Sequence, residues 1–466
     1  MEYVTPIGKI PQPQTEDDLR PISLTAYFSK VMEQFIVEWL LDIIGDKMDF
    51  RQYGGMKNNS VCHYLIELIN FILYHQDNTE STAVLACLVD FSKAFNRQDH
   101  NILITKLSDL GIPGWLLKVI MAFLKDRFMK VKYKGKFSKL HHLPGGGPQG
   151  TLLGLFLFLI LINDVGFDNQ DNNVGETITC KKRLKEVNEI HLKYVDDLSI
   201  AESVDIKNQL LPVPLKDRPQ PDPYRARTGH MLNNETSKVF NKLKDIKNYA
   251  DENKMKINLT KTKLMVFNPS VTKDFLPHFE VEGTEIELVE QTKLLGVIVT
   301  SNLSWTANTD YIVERCISKM WMIRRLKKLG ASSSDLLDVF CKQIRSLLEF
   351  SVPVWNSSLI GEDIAKLERV QKIFLHISLG DQYHSYTFAL KMSGLQKLSE
   401  RRRKLCLGFA KKSLKHEKFT TWFKPNTKQT VTRQAQPKFC EVYRRTERFH
   451  NSPLSYLTRI LNNHFK

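Results

Sequence analysis

Apolar residues recur at helical spacing over residues 24–44 and stop at Gly45, which predicts a helix ending at the glycine. Residues 61–74 read as a second helix. Residues 83–89 (AVLACLV) form an unbroken apolar run of strand length, so a buried strand is expected there, with Asp90 at its C-terminal end. Helices are expected over residues 101–110 and 115–124 as well. The period then drops to two: Lys130, Lys132, Lys134 and Lys136 alternate with Val131, Tyr133 and Gly135, which puts the lysines on one face of a strand. That face is either a charge-protected edge or a surface that meets a phosphate backbone.

A Gly/Pro-rich loop over residues 142–150 precedes an apolar helix at 152–162. Residues 165–190 and 203–235 are polar and rich in Asp, Asn and Pro, and read as long surface insertions. An exposed helix is expected at 238–254. Strand patterns resume at Ile257, at 263–267, and at 287–300 around Gly296. From Asp310 the spacing is helical again. Ile312, Cys316, Met320, Ile323 and Leu326 share one face. Leu336, Val339, Phe340, Ile344 and Leu347 share a second, and Ile364, Leu367, Val370, Phe374 and Ile377 a third. Three amphipathic helices with short connections predict a helical unit over about 305–380. Residues 1–20 are polar and proline-bearing and read as a loop or as a fragment of something longer.

Composition changes the picture in one respect. The 466 residues carry 42% hydrophobic side chains, enough for several packed cores, and a net charge of +16, which favours a polyanionic partner. The excess is local. Residues 381–466 hold 19 Lys+Arg against 5 Asp+Glu, a net of +14, and the first 380 residues are nearly neutral at +2. The seven cysteines form no CxxC pair, which argues against a disulfide scaffold or a zinc knuckle. The first residues contain no apolar secretion signal, and the longest apolar run is about half of the ~20 residues a membrane span needs. A protein that is neither secreted nor embedded in a membrane, in a reducing compartment, is expected.

Three carboxylates stand out. Asp90 ends the buried strand, and Asp196 and Asp197 are adjacent in HLKYVDDLSIA, between two apolar segments that read as a hairpin. Adjacent carboxylates raise each other's pKa unless a cation lies between them, and a hard divalent ion with oxygen preference removes that cost. Two such ions can serve an in-line phosphoryl displacement.

These acids have ordered company. LVDFSKAFN around Asp90 is followed by GGGPQG (145–150), YVDD (194–197), NLTKTKLMVF (258–267) and LLGV (294–297). DLRPISL (18–24) and RQYGGMKNNS (51–60) stand upstream. In this order the motifs resemble those of reverse transcriptases of non-LTR, LINE-type, jockey-like retrotransposons, over about residues 18–380. The resemblance implies an α+β right-hand polymerase. Its fingers and palm, with an antiparallel sheet, would cover 18–304, a helical thumb 305–380 and a basic C-terminal region 381–466, behind an N-terminal segment 1–17.

It further implies an RNA-directed DNA polymerase that moves nucleotides from dNTPs to a primer 3′-hydroxyl. Two Mg²⁺ ions, with Mn²⁺ as the alternative, would be held by Asp90, the Phe91 carbonyl and Asp196, with Asp197 as accessory acid. Phe95 would be the steric gate against a ribose 2′-OH. Gly147, Pro148, Gln149 and Gly150 would border the incoming base pair, and Arg20, Arg51 and Lys57 would cradle the triphosphate. Lys261, with Lys263 as a near competitor, would protonate the leaving pyrophosphate, and Leu295 and Gly296 would form the primer grip. Asp99, Asp164 and His100 are expected to be structural. Arg324, Arg325, Lys327 and Lys328 suit a helix C-terminus or a duplex groove. The cluster Arg401–Lys404 with Trp422, Phe423 and Tyr443 suits sequence-independent nucleic-acid holding or nuclear import. RNA template and DNA primer are the expected partners, within a ribonucleoprotein of nucleus and cytoplasm.

Asn96, Val195 and Leu155 depart from the usual pattern without removing a metal ligand. The short N-terminus leaves no room for the endonuclease that commonly accompanies such polymerases. It therefore suggests a truncated chain, and a separate endonuclease as the source of the nick. The alternatives are an inactive nucleic-acid-binding remnant and an RNA-dependent RNA polymerase. Phe95 and the PQG motif count against the latter.

Overall fold

The computed structural model describes residues 2–10, 12–78, 82–143, 145–165, 188–205, 210–212, 230–232, 237–267, 279–426, 437–441 and 444–465. The greater part of both expected insertions, and Tyr443, lie outside the described residues.

The centre is a five-stranded sheet in the order Glu287–Leu288, Lys263–Phe267, Thr82–Val89, Asp197–Asp205, Glu189–Tyr194. All its neighbours are antiparallel except the first pair. Thr82–Val89 reads as an unbroken apolar run because both faces of the sheet are covered. Val84 and Ala86 face one core, shared with the helix Val61–Asn78. Leu85, Cys87 and Val89 face the other, shared with Leu103, Leu107, the helix Leu152–Leu161 and the helix Lys238–Glu252. The α+β expectation holds.

The expected N-terminal loop contains strand at both of its described ends. Glu2–Gly8 pairs antiparallel with Leu19–Leu24, with Tyr3 opposite Leu24, and lies parallel to Arg127–Tyr133. An Arg127–Glu2 ion pair of 2.6 Å ties the strands together. The lysine alternation also resolves differently from one continuous strand. Arg127–Tyr133 turns at Lys134 and Gly135, both with positive φ, and returns as Lys136–Phe137. Lys134 therefore sits in a hairpin turn, where glycine at the second position relieves the backbone.

The three expected helical faces form Thr306–Lys328, then Ser333–Val339 running on through a wider turn at Phe340–Arg345, and Gly361–Leu379. Phe340 and Phe374 stack at 4.0 Å between them. The basic C-terminal region is folded onto the rest. Leu398–Leu414 and Pro453–His464 pack on each other, and Pro453–His464 packs on Val61–Asn78, within one continuous core. Trp422 and Phe423, expected on a nucleic-acid surface, are buried in that core, and Trp422 Nε1 donates to Glu67 Oε2 at 2.9 Å. Arg401 is paired with Glu349, and buried Arg402 donates to Asn356 Oδ1 at 2.9 Å. Arg403 and Lys404 remain exposed. Among the described residues no helix is long and apolar enough to cross a membrane.

Candidate active site

The sheet brings the three acids together. Val89 pairs with Leu198, so Asp90 lies one step beyond the last pair of the strand and faces the tip of the neighbouring hairpin. That tip is a two-residue turn, Val195–Asp196, closed by the pair Tyr194↔Asp197. Phe91 bridges to Ile257, and the flanking bonds are Asn258 N–H to the Asp90 carbonyl and Ser92 N–H to the Lys256 carbonyl, both 2.7 Å. This is the narrow type of antiparallel pair, which turns the Phe91 carbonyl away from Ile257.

Asp90 and Asp196 line one cavity of about 650 Å³, together with Arg20, Phe91, Phe95, Gln149, Lys261, Asn258 and Lys9. Phe95 is half-buried. Its ring packs on Phe158, with centroids 4.9 Å apart, while the residue borders the cavity. The Gly-rich loop is fixed in place by its backbone. Gly147 N–H donates to the Phe95 carbonyl at 2.8 Å, and Ser23 N–H donates to the Gln149 carbonyl at 2.8 Å. Arg127 Nη1 donates to the Gly146 carbonyl at 2.6 Å, and a Cβ on Gly147 would overlap the Gln98 side chain. Pro148 is buried beneath the loop, and Gly150 takes φ +101° where the chain turns into the helix.

The electrostatics are those of a partly buried acid cluster. Burial raises the Asp90 carboxyl above its ordinary value; Lys261 opposes the rise and Asp196 adds to it. Burial also raises Asp196, against its own backbone amide and Arg20. Burial, then the charges of Asp196 and Asp90, push Asp197 up to about 7. Among the described residues no three His, Cys, Asp or Glu side chains stand close enough to form a ready-made metal cage. The donor set nevertheless fits a hard divalent ion: two cavity-facing carboxylates, each held above its ordinary pKa, beside an outward-turned carbonyl.

The expected triphosphate cradle is only partly assembled. Arg20 reaches the cavity. Arg51 lies beneath the hairpin, its Nε 2.9 Å from Asp49 Oδ1, and Lys57 is exposed on a turn away from the cavity. The two lysines of the NLTKTK segment separate cleanly: Lys261 lines the cavity, whereas Lys263 is bound to Glu287 and to the Thr260 carbonyl. Leu295 and Gly296 form the turn between Gln291–Leu294 and Val297–Thr300, outside the cavity lining. The three polar neighbours are structural. Asp99 caps the helix His100–Asp109, Asp164 binds Lys106 at 2.7 Å, and His100 Nε2 lies 2.9 Å from the Gly146 carbonyl.

Sequence reasoning missed Lys9 and Gln52. Lys9 lines the cavity because it directly follows the strand Glu2–Gly8; nothing in its sequence neighbourhood marked it. Gln52 is buried, and its Oε1 accepts both Gly54 N–H at 2.9 Å and Val195 N–H at 3.0 Å. Val195 needs that support, since it holds φ +60°, a conformation costly for a β-branched residue.

Residues 10–216 match the family described as reverse transcriptase (RNA-dependent DNA polymerase). The matched span contains Asp90, the Gly-rich loop, Asp196 and Asp197. The chain is 22% identical over 349 residues to the probable RNA-directed DNA polymerase from transposon BS of Drosophila melanogaster, covering 74% of this chain and 34% of that one. It is 30% identical over 156 residues to the RNA-directed DNA polymerase from mobile element jockey of the same species, covering 33% of this chain and 17% of that one. The resemblance to jockey-like elements is thus borne out, over about a third or less of each relative's length. Among solved structures, apo telomerase from Candida tropicalis aligns with a TM-score of 0.41 at 11% identity, covering 88% of this chain and 61% of that one. Reverse transcriptases generally use divalent metal ions.

Proposed function

We propose that the chain is an RNA-directed DNA polymerase that extends a primer 3′-hydroxyl with deoxynucleotides on an RNA template. The observation that carries this reading is the single cavity shared by Asp90, Asp196, Phe95, Gln149, Arg20 and Lys261, residues from five separate motifs. Asp90, Asp196 and the Phe91 carbonyl would hold two divalent ions, Mg²⁺ or Mn²⁺, which when bound make the 3′-hydroxyl acidic and neutralise the nucleotide phosphates. Asp197 keeps the local field negative. Arg20 and Lys9, both on the cavity wall, draw the triphosphate toward the acids. Lys261 donates a proton to the departing pyrophosphate. The Phe95 ring fills the space a 2′-hydroxyl would need, and the Gln149 amide meets the templating pair. Leu295–Gly296 steadies the primer end. Residues 305–380 serve as the thumb, and the template complex forms a ribonucleoprotein of cytoplasm and nucleus.

The test is primer extension by purified protein on an RNA template with Mg²⁺, supplied in turn with dNTPs and rNTPs. Extension with dNTPs alone is expected, and Phe95→Val should admit rNTPs. Binding of template–primer without any extension would reduce the chain to a nucleic-acid-binding remnant. Equal use of rNTPs by the parent protein would remove the gate.

A further inference from the structure

The turn that carries Asp196 does not stand by itself. Val195 keeps φ +60° because its surroundings hold it there. Its N–H is taken by Gln52 Oε1, and Gly54 lies so close that a Cβ there would sit 2.6 Å from Val195 Cγ2. The backbone of residues 51–53 runs beside the hairpin: Tyr53 N–H donates to the Lys193 carbonyl at 2.8 Å, and Lys193 N–H to the Arg51 carbonyl at 3.0 Å. Lys193 is anchored in turn. Its buried ammonium binds Asp49 Oδ2 at 2.7 Å and the carbonyls of Ile162 and Asn163.

The far side of Gln52 is held from the C-terminal region. Lys418 Nζ donates to the Gln52 carbonyl at 3.3 Å and lies 3.7 Å from the centroid of the Tyr53 ring. Its neighbours are fixed as firmly. Phe419 stacks on His63 at 3.9 Å, His63 Nε2 lies 3.0 Å from Ser413 Oγ, and Trp422 is bonded to Glu67. A continuous set of packed and hydrogen-bonded groups therefore runs from residues 413–422, through Lys418 and Gln52, to the amide of Val195.

We propose that Lys418 is a positioning residue for the acidic turn: through Gln52 it fixes the backbone that holds Val195, and so sets where Asp196 stands relative to Asp90. The C-terminal region thereby supports the catalytic centre in addition to carrying charge. The kinetic consequence rests on the polymerase reading; the structural consequence does not.

Lys418→Met keeps the apolar stem over Tyr53 and removes the ammonium. In the full chain without metal, amide hydrogen exchange over residues 189–205 should quicken in this variant, while exchange over Thr306–Lys328 stays as in the parent. In primer extension kcat should fall about tenfold, as for a small misplacement of a reacting group, with KM for dNTP and affinity for template–primer unchanged. Lys418→Arg should restore both readouts. Gln52→Leu should reproduce the loss, and the double variant should be no worse than Gln52→Leu alone. Unchanged exchange over 189–205, or exchange quickened throughout the chain, would overturn the proposal. So would weaker template–primer binding with kcat intact, which would make Lys418 a phosphate contact. A parent protein that extends no primer would sink the polymerase reading and leave the exchange test standing.

Discussion

Two of the two-residue hairpin turns in this molecule, Leu295–Gly296 and Val195–Asp196, are built on opposite plans. Leu295–Gly296 has φ +48° and +89°, with glycine at its second position, so the local sequence already favours the turn. Even there the glycine is needed twice over, since a Cβ at 296 would come within 3.0 Å of the Phe350 ring. Val195–Asp196 contains no glycine, puts the positive φ on a β-branched residue, and depends on Gln52 and Gly54 from another segment. A turn whose tip must present a carboxylate cannot use the local solution freely. The fold supplies the missing stability from outside the hairpin.

The widest separation between the two turns should appear in chemistry. Asp90→Asn, opposite the acidic turn, should lower extension by roughly 1,000-fold by removing a carboxylate that would hold the divalent ions. Leu295→Ala should leave the single-turnover rate in place and weaken primer binding roughly tenfold, a change of about 1.4 kcal/mol. Equal losses of rate in both variants would erase the distinction.

Stability should differ next. Gln52→Leu strands two amide donors, each costing about 1–3 kcal/mol, so urea unfolding should show a loss of about 2–6 kcal/mol. Gly296→Ala should cost less, about 1–2 kcal/mol, from backbone strain and the displaced ring. The reverse order would mean that the acidic turn holds itself.

The pH dependence should separate them again. Asp197 has its folded-state pKa raised to about 7, above the unfolded value, so the folded state prefers its protonated form. The resulting penalty is absent below the unfolded pKa, about 4, and grows as pH rises toward 7. In EDTA, Asp197→Asn should therefore melt above the parent at pH 8 and level with it at pH 4. The deficit of Gly296→Ala should not change with pH, because its turn contains no titratable group. The smallest effect belongs to Val195→Gly. Relief of strain and loss of side-chain contacts oppose each other there, and the net change should stay within about 1 kcal/mol.

What was legible in the sequence follows the same division. Asp90 could be placed because a strand covered on both faces has an unmistakable apolar pattern, and Asp196 because its hairpin lies between two such patterns. The helices of 305–380 were legible from their spacing. The strand Glu2–Gly8 was not: Tyr3 and Ile7 are exposed, Val4 is its buried apolar residue, and its pairing is decided by Leu19–Leu24 and Arg127–Tyr133. Lys9 was lost with it. Trp422 read as a nucleic-acid contact because its partner, Glu67, lies 355 positions away. Gln52 was invisible for the same reason, since nothing near it in sequence shows that a distant amide needs an acceptor. Arg51 and Lys57 carried the right charge, but only Arg20 of the three lies on a strand that reaches the cavity.

The central claim is that the acidic turn and Asp90 form a nucleotidyl-transfer site. Single-nucleotide extension of a template-bound primer by the parent protein and by Asp196→Asn, with template–primer affinity measured alongside, tests it most directly. Extension by the parent, no detectable extension by the variant and the same affinity for both are expected. An Asp196→Asn protein that extends at the parent's rate would contradict it.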